Sequence, residues 1–390
     1  MEIFLKKEGI FLKITGIICE YNPLHLGHKK QLDLVKARNS AVVCLMSGNF
    51  VQRGAPAIVD KTLRAKAAVL CGADLVLELP VTASLSSAEG FASAGVRILS
   101  PLCDTLCFGA ETADQEALLS TAGALLSQQF PAALRTQLGK GLSFPAARQC
   151  ALEEMGLDSS ILSRPNDILA VEYCKAIISQ NSSMTPDPIH RAGSYHDTAP
   201  DANDPSATAL RRLMEQSQPW LDYVPQEAHR CFDGASLHTL AAGERAILAR
   251  LRCMTEAEFE AVPYSSEGLW RKFMHAVHQH ATVEEILTAV KSKRYTRTRL
   301  DRMLMCAFLG IARDDLNTPS PYVRVLAFND RGREILKEAR KRGSFPNIGE
   351  PQDHPYQHFE NRCGDLYGLF AMDAPEPAGT EAQKRVSYLP

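Results

Sequence analysis

Two histidines flanking a glycine, His25-Leu26-Gly27-His28, are the most chemically suggestive cluster in this 390-residue sequence. They fall where an apolar run gives way to a helix-like stretch, so the first-turn N–H groups of that helix would face outward and attract an anion. Gly27 lets the main chain approach a phosphate closely. The two imidazoles could donate to oxygens that gain charge when an α-phosphate is attacked. The same residues also suit a plain helix start, with His25 as its cap and His28 exposed in the first turn. A second cluster, Lys291-Ser292-Lys293-Arg294-Tyr295-Thr296-Arg297-Thr298-Arg299, gathers cations and an aromatic without an acid. Lys291, Lys293, Arg294, Arg297 and Arg299 could contact phosphates along an RNA, although a solvated helix start has the same composition. His275, His278 and His280 lack a neighbouring set of Cys, Asp or Glu, which favours surface or packing roles, and no metal site is expected.

The elements that must position these residues are legible as alternating runs. Apolar stretches at 14–20, 41–46, 74–80 and 103–109, with a weaker one at 187–191, alternate with helix-like stretches at 27–38, 60–71, 87–99 and 113–128. This alternation predicts an α/β fold with a Rossmann-like parallel sheet, in which ligands bind beyond the carboxyl ends of the strands. Those ends run into EYNPLHLGHKKQL, SGNFVQRGAP, GAET and RAGSYHD, which carry Gly, His, Arg, Asn and Ser. Beyond about residue 205 apolar residues recur at helical spacing and extended runs become rare. The expected organisation is an extension over 1–13, an α/β unit over 14–230, a mostly helical unit over 231–350, and a partly loose tail over 351–390 rich in Pro, Asp, Glu and Gly.

Composition narrows the class further. Hydrophobic residues at 45% and charged residues at 23% are those of a globular protein rather than a disordered or fibrous one. A net charge of -2 gives no global field drawing the chain to nucleic acid or membrane, leaving only local patches. The 11 cysteines contain no CxxC pair, and Cys103 and Cys107 sit within one apolar run, so reduced, packed thiols in a reducing cytoplasm are expected. No run reaches the roughly 18 apolar residues of a membrane span, and no targeting signal is expected at the N-terminus.

The placement of GIICEYNPLHLGH, directly after a strand and before a helix, resembles the HIGH-type nucleotidylyltransferases, which bind ATP and react at its α-phosphate. Ser206-Ala207-Thr208-Ala209-Leu210-Arg211 looks like a variant of their later serine and threonine motif, making Ser206 and Thr208 possible phosphate ligands; a capped helix start is the alternative. A closer resemblance is to the tRNA(Met) cytidine acetate ligases. It runs through GIICEYNPLHLGH, MSGNFVQRGAPAIVDK, RAKAAVLCGADLVLELP, SAEGFA, RPNDILAVEY, RAGSYHD, SATALR, KRYTRTRLDRML and YVRVLAFN. The resemblance implies an enzyme that converts acetate and ATP to acetyl-adenylate and pyrophosphate, with magnesium accompanying ATP, and acetylates the wobble cytidine of elongator tRNA(Met). No membrane association and no obligate protein partner are expected.

Carried onto this sequence, the family's ATP-binding positions fall on Ile18, Cys19, Glu20, Tyr21, Asn22, Pro23, Leu24, His25, Leu26, Gly27, His28, Lys29, Lys30 and Gln31, and on Gly109, Asn166 and Arg191. His25 and His28 would be the catalytic pair. Gly109 would leave room for a nucleotide or simply make a turn; Asn166 would bond adenine or ribose or cap a helix; Arg191 would pair with phosphate or stand in solvent. Leu26 replaces an Asn common in the family and Leu24 a common Phe, which puts a detail of phosphate or acetate positioning in doubt. A small-metabolite adenylyltransferase on the same fold and a non-catalytic RNA-binding protein are the alternatives. The basic segment and the extra helical region disfavour the first, and the intact histidines and glycine the second.

Overall fold

A computed structural model describes residues 5–7, 10–191, 206–342 and 354–390. Its frame is a seven-stranded sheet of β1 (Ile14–Cys19), β2 (Ala41–Ser47), β3 (Leu75–Leu79), β4 (Thr105–Ala110), β5 (Thr185–His190), β6 (Val325–Phe328) and β7 (Ser387–Tyr388). The order across the sheet is β7-β6-β3-β2-β1-β4-β5. Strands β1 to β5 are parallel, β6 runs antiparallel to β3, and β7 runs parallel to β6. Every residue of β2 is buried, as a continuous apolar run covered by helices on both faces requires.

Strand alternation divides the core between those faces. Val43, Leu45, Leu75 and Leu77 point into a cluster closed by α3 (Ala88–Leu99), α4 (Gln115–Leu126) and α5 (Pro165–Ser179). Val42, Cys44, Met46 and Val76 point the other way, against α1 (Leu26–Ala37) and α2 (Lys61–Leu70). Because β2 and β4 flank β1 on opposite sides, successive crossovers diverge there and leave a crevice at the carboxyl end of β1. The short helix α6 (Ala207–Glu215) reaches the same end of the sheet. A third cluster joins helices 240–252, 256–261, 269–279 and 283–290 with α7 (Arg297–Leu309) and α8 (Pro355–Tyr367), and it takes in Phe50, Val81 and Leu85 from the α/β region.

The α/β class, the five parallel strands and the mostly helical region that follows them agree with expectation. Extended runs are rare among the described residues of that region, and β6 and β7 complete the sheet edge. The tail expected to be partly loose is folded from residue 354 onward, with Tyr367 and Phe370 fully buried. One of its acidic residues misleads because it is ion-paired inside the protein: Glu381 lies 2.6 Å from Lys61 Nζ and 2.6 Å from Arg324 Nη1. Helices 130–139 and 144–154, between β4 and β5, were also not anticipated. Ahead of β1, residues 5–7 and 10–12 pair as an antiparallel hairpin. The AGSYHD part of RAGSYHD lies outside the described residues. Among the described residues no helix is long and apolar enough to cross a membrane.

Candidate functional site

The start of α1 is built from its own two histidines. His25 is the N-cap in extended conformation, and its Nδ1 accepts from the Gly27 N–H at 3.1 Å. His28 reaches back so that its Nδ1 accepts from the His25 N–H at 3.3 Å, closing a capping box in which imidazoles replace the usual hydroxyl and carboxylate. The rings stack with centroids 3.7 Å apart, and Tyr21 meets His28 edge-on at 5.0 Å. Burial, helped by the charges of Arg191 and Arg211, lowers the His25 pKa to about 3. His28 is likewise pushed well below the usual histidine value by burial, then by His25 and Arg191. Both rings are therefore neutral, and since each Nδ1 is an acceptor the proton must sit on Nε2. Among the described residues the buried His25 Nε2 has no protein partner. The first turn of α1 also lacks an acidic residue, which leaves its outward amides free of an adjoining negative charge within the helix.

This helix start opens into a cavity of about 450 Å³ at the carboxyl ends of β1, β4 and β5. From the stretch 18–31 the walls take Ile18, Cys19, Glu20, Tyr21, Asn22, His25, Gly27, His28, Lys30 and Gln31. Pro23, Leu24, Leu26 and Lys29 stay out of it; Leu24 is fully buried in the core and Lys29 pairs with Asp33. Gly109, Asn166, Arg191, Ser206 and Thr208 line it as well. A side chain at Gly109 would meet only Arg191, at ordinary contact distance, so the glycine keeps space in the cavity itself. Asn166 is in the first turn of α5 rather than at its cap, which is Arg164. Ser206 does cap α6, accepting from the Ala209 N–H at 3.1 Å.

The sequence reading missed Gln52, Arg53 and Arg211, which share the walls. Arg211 donates to the Asn22 carbonyl at 2.7 Å and to Thr208 Oγ1 at 3.2 Å. Gln52 and Arg53 belong to SGNFVQRG, whose position after β2 was the available signal. That loop is pinned from below by Arg64, which is fully buried and donates to the carbonyls of Val59 at 2.8 Å, Glu20 at 2.6 Å, Ser47 at 3.1 Å, and Gly48. From the other side Gly54, with φ +78°, lies so close to the Asp301–Arg302 backbone that no side chain fits, and Arg302 donates to the Gln52 carbonyl at 3.4 Å. The helix α7 therefore rests directly on the cavity rim.

The basic segment divides in two. Lys291, Lys293 and Arg294 are exposed between helix 283–290 and α7. Arg297 instead pairs with Glu284 at 2.6 Å and Asp301 at 2.8 Å, while Arg299 donates to the Tyr264 carbonyl at 2.8 Å and stacks on Tyr295 at 4.8 Å. His275, His278 and His280 lie on or next to helix 269–279, outside the cavity lining.

Residues 12–380 match the family model described as HIGH Nucleotidyl Transferase. The tRNA(Met) cytidine acetate ligase of Clostridium novyi (strain NT) is 38% identical over 356 residues, covering 86% of this chain and 89% of that protein. The enzyme of the same name from Anoxybacillus flavithermus is 33% identical over 96% of this chain and 98% of its own. The chain belongs to the tRNA(Met) cytidine acetate ligase family. The crystal structure of Thermotoga maritima TmcAL in its apo form superposes with a TM-score of 0.89 at 28% identity, covering 97% of this chain and all of that one. A second structure of that protein, bound with alpha-thio ATP, gives 0.86 at the same identity and coverage.

Proposed function

We propose that the chain is a tRNA(Met) cytidine acetate ligase that activates acetate with ATP and transfers the acetyl group to the wobble cytidine of elongator tRNA(Met). The observation that carries this reading is the capping pair His25 and His28 at the sheet's switch point, neutral and protonated on Nε2, at an acid-free helix start. An acetate oxygen attacks the α-phosphorus, pyrophosphate leaves, and the histidine Nε2–H groups and helix amides stabilise the charge that develops on the phosphate oxygens. Arg191 and Arg211, with Ser206 and Thr208, would hold the remaining phosphates. No protein nucleophile is needed.

Magnesium would travel with the nucleotide. Among the described residues no group of three or more His, Cys, Asp or Glu side chains could hold a metal ion, so its ligands would be phosphate oxygens and water rather than a protein cage. In the second step the cytidine amine attacks the acetyl carbonyl and AMP departs, which requires the base to leave its stack. Lys291, Lys293 and Arg294 suit contacts to the tRNA phosphates, with Arg297 and Arg299 holding their segment against the body. Because α7 rests on the rim, an RNA bound there lies beside the cavity. A cytoplasmic location accords with this substrate.

Exchange of labelled pyrophosphate into ATP by the purified protein tests the first step. Exchange should require acetate and should vanish in His28→Ala. Failure with acetate, formate and propionate alike, even with tRNA(Met) added, would remove the ligase reading.

A further inference from the structure

The loop that follows β4 and the start of α5 are joined by a crossed pair of carboxylates. Glu111 Oε2 accepts from the Asp167 N–H at 2.9 Å, and its Oε1 accepts from the Asn166 side-chain amide at 2.8 Å and from the Asn166 N–H at 3.4 Å. In return the fully buried Asp167 accepts from the Thr112 N–H at 2.8 Å and from Thr112 Oγ1 at 2.7 Å. Glu111 thus occupies the N-terminal end of α5, where a negative charge is favoured, and neither partner can turn without breaking the other's bonds.

An ionised carboxylate has no hydrogen to give, so the atom of Asn166 facing Glu111 must be the amide nitrogen. The side-chain orientation of Asn166, ordinarily ambiguous, is fixed by chemistry here, with Oδ1 turned away from Glu111. Among the described residues nothing donates to that oxygen, and Asn166 lines the cavity beside Gly109. With phosphates at the start of α1, a nucleoside would extend to the β4–β5 side of the switch point. There Gly109 leaves a slot walled by Phe108, Leu169 and Ile189.

We infer that Glu111 is a positioning residue that holds the Asn166 amide in the orientation selecting a 6-amino purine over a 6-oxo purine. Asn166 Oδ1 accepts from the exocyclic amine while its nitrogen donates to N1, so that one amide edge matches the donor and acceptor on the Watson–Crick edge of adenine. A 6-oxo purine presents an acceptor at that position and requires the amide to flip, which would aim Oδ1 at the Glu111 carboxylate. The inference rests on the reading of the cavity as a nucleotide site.

Calorimetric titration of the full-length protein with ATP and with inosine triphosphate tests it. The wild type should favour ATP by about tenfold or more, the scale of one matched against one opposed buried hydrogen bond. In Glu111→Gln the residue facing Asn166 can donate or accept, so the preference should fall to within about threefold, largely through tighter inosine triphosphate binding. Asn166→Ala, which keeps the Glu111 bond to the Asp167 N–H, should lose the preference too, and the double variant should lose no more than either single one. Equal weakening of both nucleotides in Glu111→Gln would mean a merely structural clamp and overturn the inference. So would a preference retained in Asn166→Ala. A wild type that binds neither nucleotide would remove the nucleotide-site reading and the inference together, whereas binding of ATP with a ratio unchanged by the variants removes only the inference.

Discussion

An imidazole that caps a helix through Nδ1 does two jobs with its two nitrogens, and they can be separated by substitution. In His25→Asn the new side-chain oxygen can still accept from the Gly27 N–H, because Asn is among the best N-caps, so stability should move by no more than about 1 kcal/mol. The Nε2–H donor is gone, and acetate-dependent pyrophosphate exchange should fall by about 10²–10³, the effect of removing one donor to a developing oxyanion. Wild-type exchange in this variant would show that the cap, not the donor, is what His25 supplies. The pH dependence follows from the depressed pKa of about 3. The unfolded chain takes up a proton near the ordinary histidine value of 6.5 while the folded one does not, so stability declines as pH falls from 6.5 towards 3. His25→Asn should flatten that decline in urea titrations. At this scale the sequence was most informative, since HLGH fixed both the residues and their place on a helix. Arg211, Gln52 and Arg53 were not legible as site residues, because a lone arginine or glutamine reads as surface until the fold brings it to the strand ends. Arg297 and Arg299 show the converse: a run of cations cannot reveal that Glu284 and the Tyr264 carbonyl, both outside it, have taken two of them.

The loop between β2 and α2 has little regular structure of its own, yet it forms one wall of the cavity, so its shape must come from neighbours. Arg64 supplies much of it. A guanidinium with no exposed surface donates to four carbonyls drawn from the ends of β1 and β2 and from the approach to α2. Arg64→Met would leave those carbonyls buried without donors, and unfolding in urea should show a loss of about 3 kcal/mol or more. The folded fraction should bind ATP more weakly, because the Glu20 carbonyl and the loop are released together. An unchanged urea midpoint would mean that water replaces the arginine at no cost. The elements themselves were readable where burial is complete and periodicity clear, as in β2 and β3. β6 and β7, of four and two residues, were not. They are too short to show alternation, and their partners are distant in sequence: β6 pairs with β3, about 250 residues earlier, through a contact that no local pattern encodes.

Across the whole molecule, the C-terminal segment is what joins the α/β sheet to the helical region. Tyr367 donates to the Ala57 carbonyl at 2.8 Å, Lys384 pairs with Asp60 at 2.6 Å, and Glu381 sits among Lys61, Arg324 and Lys384, so three contacts converge on the base of the site loop. Within this junction Glu360 on α8 is the group most sensitive to pH near neutrality. Its Oε1 accepts from the Val81 N–H at 3.1 Å and its Oε2 lies 3.2 Å from the Tyr322 hydroxyl. Burial first, and then the nearby charge of Glu78, raise its pKa to about 7, against the opposing pull of Lys61 and Arg324. The folded protein therefore holds a proton that the unfolded chain releases near the ordinary glutamate value of 4.5, and the stability this contributes is lost as pH rises through 7. Glu360→Gln keeps an acceptor for Val81 but cannot ionise. Between pH 6 and pH 8 the urea midpoint of the wild type should fall more than that of the variant, so the two curves converge on the acid side and separate on the alkaline side. Parallel curves would mean that Glu360 is already ionised at pH 6, and that the surrounding cations outweigh its burial.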